Sequence, residues 1–199
     1  MFNLHYIAKP YFVSQVWGVV NPIYKQFGFN KHNGEDISLG KDKLIYCPIE
    51  AKAYRILWQP SGGGNVLSIL TDLYDWPDGK KAKVLIDFMH LEKVMVVQGQ
   101  VIKIGDKMAI ADNTGFSSGN HTHIQARRVV EINGELINVD INDANNSFDH
   151  SKHYTGKYAS DLFTETPLSS GEIATIKIQK SFIEILKSYV NLLENYLKK

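Results

Sequence analysis

The sequence predicts a mainly-β chain followed by one C-terminal amphipathic helix, and three observations predict it. From Leu44 to Ile110, short apolar stretches alternate with turn-forming residues, the pattern of strands and their connections. Asn133-Gly134 sits between two further runs, Ile124 to Ile132 and Glu135 to Val139, as the centre of a hairpin. From Ser170 to about Leu197, apolar residues recur instead at three- and four-residue steps, the period of a helix.

In chain order, residues 1–30 carry Phe2, Tyr6, Tyr11, Phe12, Trp17, Tyr24, Phe27 and Phe29 with Pro10 and Pro22. Such a segment is expected as irregular structure over a core edge, or as one wall of a groove. Tyr24 on its own reads as a packing residue, with a place facing a site as the alternative. His32 and Asp36 are four apart and share one side of either a helix or a strand; the turn dipeptide Asn33-Gly34 favours a loop leading into a strand.

The predicted strands are then Leu44-Cys47, Lys52-Leu57, Asn65-Leu70, Lys83-Met89, Val101-Ile102 and Met108-Asp112. Their separators include Gly62-Gly63-Gly64, which lacks the spacing and lysine of a phosphate-binding loop and reads as a connection near a cleft. His90 stands alone in the apolar stretch Asp87-Phe88-Met89-His90-Leu91. Residues 142–170 are polar and turn-rich, so Asp149, His150, His153 and Tyr154 are expected in a solvated loop rather than at a second metal. In the helix, Phe182, Ile185, Leu186, Tyr189, Val190, Leu193, Tyr196 and Leu197 form a stripe that needs a partner surface: this domain, a second copy or another protein. The organisation read from this is a domain over residues 1–150 and a polar loop with helical extension over 151–199.

A length of 199 residues suits one domain or one with an appendage, and 44% apolar with 22% charged residues is ordinary for a globular chain. A net charge of +1 argues against nucleic-acid binding by bulk electrostatics. Cys47, the single cysteine, forms no internal disulfide and reads as buried and inert. The first residues lack a basic and apolar secretory signal, and no apolar run is long enough to span a bilayer. The location is therefore open; a target outside the cell implies another route, such as a lysis system or a virion.

The chemistry concentrates in Asn113-Thr114-Gly115-Phe116-Ser117-Ser118-Gly119-Asn120-His121-Thr122-His123-Ile124. On an extended strand, His121 and His123 face the same way and Thr122 the other. Two imidazoles fixed on one face suit a divalent metal. With His32, Asp36 and His90 the inventory reaches five. A catalytic zinc site takes three protein ligands and keeps one position open, so two groups are left for acid–base work. Ser117 and Ser118 lack the strand–elbow–helix setting of a nucleophile and read as turn residues of a groove wall.

Taken together, His32-Asn33-Gly34-Glu35-Asp36, Phe88-Met89-His90-Leu91 and the segment Asn113 to His123 resemble the LytM/lysostaphin-type zinc metallopeptidases of the M23 class. The family pattern is His-x-Gly-x-Asp, a Tyr-x-His-Leu-like strand, and a Gly-Asn-Thr-Gly-x-Ser-x-Gly-x-His-x-His segment. Gly99 to Asp106 resembles the double-glycine stretch that precedes the last of these. The similarity covers roughly residues 20–130, with the motifs in the same order. Asp112 stands for the usual Gly, Asn120 for Pro, Thr122 for Leu and Ile124 for Phe; none of these removes a ligand.

The resemblance implies an antiparallel β-sheet groove, zinc held by His32, Asp36 and His123, and His121 and His90 as catalytic imidazoles that do not bind the metal. It further implies an oxyanion contact from Tyr24 and, as substrate, the stem or cross-bridge peptides of bacterial peptidoglycan. The stretch around Trp76 lies outside the shared core and is expected to influence which peptide fits. The competing expectation is a zinc-containing module that binds wall peptide or activates a separate amidase. A cupin would want a Glu soon after the His pair, whereas the next is Glu131, and a metal-dependent barrel needs a longer chain.

Overall fold

A computed structural model describes residues 1–140 and 147–162. They belong to a compact unit over Met1–Thr164, and the expected C-terminal helix lies outside the described residues. The strands are β1 (Leu4–Tyr6), β2 (Tyr11–Gln15), β3 (Glu35–Leu39), β4 (Leu44–Tyr46), β5 (Ala51–Gln59), β6 (Gly64–Thr71) and β7 (Tyr74–Asp75). They continue with β8 (Lys81–Val94), β9 (Val101–Ile102), β10 (Lys107–Ala111), β11 (Thr122–Ile132), β12 (Glu135–Asn138) and β13 (Tyr154–Tyr158).

The main sheet runs in the order β2-β3-β11-β8-β6-β5-β9, and every pair along it is antiparallel. The Asn133-Gly134 turn closes the β11–β12 hairpin with both residues at positive φ, 54° and 84°, as a primed two-residue turn requires.

Alternation assigns the two faces of the central strands. Ile86 and Phe88 of β8, Leu67 and Ile69 of β6, and Ile124 and Ala126 of β11 are buried in the core on one face. Each such large side chain contributes on the order of 1.5–3 kcal/mol by leaving water. The intervening residues, Asp87, Met89, His123 and Gln125, turn to the other face, which carries the site.

One expectation is qualified and one corrected. Residues 1–30 are not wholly irregular: they supply β1 and the edge strand β2, followed by a 3-10 helix over Pro22–Phe27 that Asn21 caps through the Ile23 amide. The polar stretch after residue 147 is not a solvated loop either. β13 pairs with β1 in parallel, Ser147 and His150 are fully buried, and the Phe148 and His153 rings join Phe2 and Trp76 in an aromatic cluster with centroids 5.2–5.9 Å apart. The reason lies in β3. Glu35 points away from Asp36 into the protein, and its Oε2 receives the Tyr11 and Tyr154 hydroxyls at 3.3 Å each. His150 Nε2 lies 3.2 Å from the same oxygen, an electrostatic contact without hydrogen-bond alignment. A buried carboxylate demands such partners, and the segment after residue 147 supplies two of them. Trp76 likewise packs into the aromatic cluster, with Arg128 over its ring at 4.9 Å, on the face opposite the site.

Cys47 is buried as expected, and burial first of all pushes its thiol up to about 12, which leaves it unreactive. No helix among the described residues is long and apolar enough to cross a membrane.

Candidate metal centre

The centre is built where β3 and β11 pair. Asp36 and His123 are directly opposite in that register, so both side chains rise from one face, and Asp36 Oδ1 comes within 2.8 Å of His123 Nδ1. His32 enters from the loop before β3. Its Nδ1–H donates to the Val16 carbonyl at 2.9 Å, which leaves the Nε2 lone pair free. That Nε2 lies 3.0 Å from His123 Nδ1 and 3.2 Å from Asp36 Oδ1.

Three ligand atoms from these residues thus converge within 4.8 Å of one another. Bonds of about 2.0–2.1 Å at a tetrahedral angle would hold such atoms ~3.3 Å apart. The observed 2.8–3.2 Å comes within a few tenths of an ångström of that. The residues fit a divalent ion.

Electrostatics agree with the geometry. Burial opposes ionisation of Asp36, but the adjacent His123 and His32 rings, chiefly as hydrogen-bonding partners, outweigh it and hold the carboxyl well below its ordinary range. Burial pushes His123 down, only partly offset by Asp36, so this imidazole is neutral and its lone pair available. A neutral imidazole and an ionised carboxylate are the protonation states that a metal takes.

The other two histidines stand beside the cluster. In a regular strand His90 would share the face of Phe88 and point into the core. A bulge prevents this: two steps of β6, Asn65 to Leu67, oppose three of β8, Leu91 to Phe88, and His90 adopts φ +62°. The reversal returns Leu91 to the core and puts the His90 ring 4.8 Å from that of His121 and 6.4 Å from that of His123. His90 donates Nδ1–H to the Thr114 carbonyl at 2.8 Å, and burial lowers its pKa to about 4 against that hydrogen bond. His121 makes the equivalent contact with the Gly119 carbonyl at 2.8 Å, with Ser117 Oγ at 3.3 Å from the same nitrogen. Its Nε2 is left facing Asp36 Oδ1 at 3.7 Å.

Tyr24 stacks on His32, centroids 5.3 Å apart and planes 21° from parallel. Of its two readings the structure gives both: the ring packs, and it packs on the site. Burial and the Asp36 charge raise its pKa, so the hydroxyl keeps its proton. All six singled-out residues, Tyr24, His32, Asp36, His90, His121 and His123, are therefore brought together. Sequence reasoning missed what orients them: the carbonyls of Val16, Thr114 and Gly119, and the Ser117 hydroxyl. Carbonyls carry no side-chain signal, and Ser117 was legible only as a turn residue.

An antiparallel sheet whose open face gathers two imidazoles and a carboxylate, flanked by two further imidazoles, is the layout of a metallopeptidase. Residues 30–139 match the model of peptidase family M23, and the chain belongs to that family. It is 28% identical over 107 residues to a protein of Haemophilus influenzae named as an uncharacterized metalloprotease, covering 54% of this chain and 20% of that one. To the peptidoglycan DD-endopeptidase ShyB of Vibrio cholerae it is 27% identical over 127 residues, 62% of this chain and 27% of that one. The chain thus spans only about a fifth to a quarter of the length of these relatives.

Among solved structures, a zinc-containing peptidase from Vibrio cholerae superposes with a TM-score of 0.52 at 23% identity, over 69% of this chain and 38% of that one. Lysostaphin from Staphylococcus simulans gives 0.52 at 20% identity, over 74% and 52%. At these identities the likenesses show the fold.

Proposed function

We propose that this chain is a zinc-dependent endopeptidase that hydrolyses peptide bonds in the stem or cross-bridge peptides of bacterial peptidoglycan. One observation carries the reading: His32 Nε2, Asp36 Oδ1 and His123 Nδ1 converge within 4.8 Å, with the His90 and His121 rings alongside and turned toward the same face. Two imidazole nitrogens and one carboxylate are a donor set that zinc favours. When bound there, zinc would polarise the scissile carbonyl and acidify a coordinated water to a pKa of about 7.

The protein's own groups do the rest. His121, with Nδ1–H held by Gly119, presents Nε2 as the base that orients the attacking water and takes its proton. The proton that His121 takes then passes to the leaving amine, directly or by way of the Nε2 of His90, which Thr114 fixes the same way with its ring 4.8 Å from that of His121. The Tyr24 hydroxyl, kept protonated, is a donor for the developing oxyanion. The name of the Vibrio cholerae relative, a peptidoglycan DD-endopeptidase, supports the substrate class.

The test is metal content and turnover together. Purified protein should hold about one zinc per chain and cleave peptidoglycan or short wall peptides, and a chelator should abolish cleavage that added zinc restores. Asp36→Ala should lose both metal and turnover. Metal-loaded wild type that is inert on every wall type yet binds wall peptide would make the chain a binding or amidase-activating module instead.

A further inference from the structure

Strand alternation carries the site face beyond the metal cluster. His123, Gln125 and Arg127 occupy alternate positions of β11 and share that face. Gln125 is directly opposite Asp87 in β8, Asp87 opposite Ser68 in β6, and Ser68 opposite Arg55 in β5. These paired positions form one polar row across four strands, a single pleat away from the row that holds His123 and Met89. The opposite face of the same strands is hydrocarbon, so the row belongs to the site face alone, where Ser68, Asp87 and Gln125 are buried and Arg55 reaches solvent.

The charge along the row does not balance. The buried Asp87 carboxylate accepts the Ser68 hydroxyl at 2.5 Å, is paired with the Arg127 guanidinium, and lies 3.9 Å from Arg55 Nη2. Arg55 also gives Nε–H to Ser68 Oγ at 3.1 Å. Two guanidiniums thus share one carboxylate, leaving a formal positive charge. Arg55 keeps 38% of its side chain in solvent, so that charge is reachable.

The row also holds unspent donors. Gln125 is 3% exposed, and its Nε2 has no hydrogen-bond partner; the Nε of Arg127 has none either. Buried donors are rarely left unmet, and one kept on a groove floor is a place where a ligand supplies the acceptor. Excess positive charge and free N–H groups on one floor select a planar anion that accepts several hydrogen bonds.

We infer that Arg55, Gln125 and Arg127 form a subsite for a carboxylate of the substrate peptide. This rests on the peptidase reading above. Two residues along β11 place Gln125 about 7 Å from His123, and three strand spacings carry the row roughly 14 Å farther across to Arg55. An extended peptide advancing ~3.3 Å per residue therefore presents the selected carboxylate about two to five residues from the scissile bond. Asp87 is a positioning residue here: it holds both guanidiniums at the floor and touches no substrate.

The test uses metal-loaded protein and paired peptides identical except for a free carboxylate or a carboxamide at those positions. Wild type should favour a carboxylate peptide at least tenfold, mainly through KM. Arg55→Gln should bring the ratio close to one, and Arg55→Lys, which keeps the charge, should retain most of it. Equal turnover of both members of every pair by wild type, or a uniform loss on both in Arg55→Gln, overturns the subsite and leaves a structural ion-pair network. If wild type cleaves nothing, binding of the same peptides, followed by NMR at the Gln125 side-chain amide, decides the question. A carboxylate preference there keeps the subsite while the peptidase reading falls, and equal binding removes both.

Discussion

His90 and His121 meet ring to ring, 4.8 Å between centroids, and each gives its Nδ1–H to a backbone carbonyl of the loop between β10 and β11. That loop therefore sets both tautomers at once, leaving two basic Nε2 atoms next to three ligand atoms that bind a metal without their help. His121→Ala and His90→Ala should each retain zinc at wild-type stoichiometry and lose on the order of 10²–10⁴ in kcat, the range for removing a positioned acid or base. The double substitution should cost little more than the worse single one, because the two serve one proton transfer sequence. Elemental analysis beside turnover checks this. A zinc-free His121→Ala protein would make His121 a ligand, and undiminished turnover would take it out of the chemistry.

Much of this site was legible because strands impose a period of two. His121-x-His123 needed only that rule, and the His32 to Asp36 spacing needed only a turn dipeptide in front of a strand. The strand assignments from Leu44 to Val139 held for the same reason, since one face of each strand is apolar. What failed was long-range. Nothing local signals that Glu35 is buried, so nothing local signals that Tyr11, His150 and Tyr154 gather around it. The bulge at His90 was equally hidden, because a positive φ on a non-glycine residue is imposed by neighbours: its amide donates to the Gly63 carbonyl at 2.7 Å, and its carbonyl accepts from Asp112. The row from Arg55 to Gln125 depends on register across four strands, which no single stretch contains.

The loop that sets the tautomers is itself fixed by two facing glycines. Gly64 at φ +67° and Gly115 at φ +73° lie backbone to backbone, and a Cβ on Gly115 would run into Gly64 and the Gly62 carbonyl. The Phe116 amide donates to Gly62 O at 2.8 Å, and the Thr114 hydroxyl accepts from the Asn65 amide at 3.0 Å. Gly115→Ala combines a left-handed backbone with an overpacked contact, so it should cost about 2–4 kcal/mol. It should also displace Thr114, the acceptor that orients His90, and so depress kcat in the fraction that still folds. Denaturant midpoints and kcat per folded molecule measure the two effects, and a fully stable, fully active Gly115→Ala protein would refute this packing.

Metal-free protein should weaken in mild acid. The folded chain holds His90 at a pKa of about 4, chiefly through burial, whereas an unfolded chain protonates it near 6.5. Between those values the unfolded state binds the extra proton, so the stability from a neutral His90 is complete above about pH 6.5 and drains away as the pH falls toward 4. His123 adds to the same trend, being lowered in the same direction. Asp36 does not, because its depressed carboxyl loses stabilising power only below its unfolded value of 3.8. The urea midpoint of chelated protein should drop from pH 7 to pH 5 by the equivalent of about 2 kcal/mol from His90, with His123 adding to it in the same direction. His90→Gln should flatten part of that slope, and an unchanged slope would place the proton uptake elsewhere.

The segment after residue 147 should matter for stability rather than catalysis. Phe148 packs against Phe2, Trp76 and His153 at centroid distances of 5.4–5.9 Å, and its amide donates to the Ala126 carbonyl at 3.1 Å. Ala126 is on β11, but its side chain points into the core, away from His123 and Gln125. Truncating a fully buried phenylalanine costs about 3–5 kcal/mol, and a partly buried one correspondingly less. Phe148→Ala should therefore lose about 2–3 kcal/mol of unfolding free energy. The cavity opens on the face without ligands, so zinc content and kcat at low temperature should stay close to wild type. Equilibrium unfolding with parallel activity measurements separates the outcomes. An unchanged midpoint would mean that this segment does not brace the sheet, and a loss of kcat without a loss of stability would mean that it reaches the groove after all.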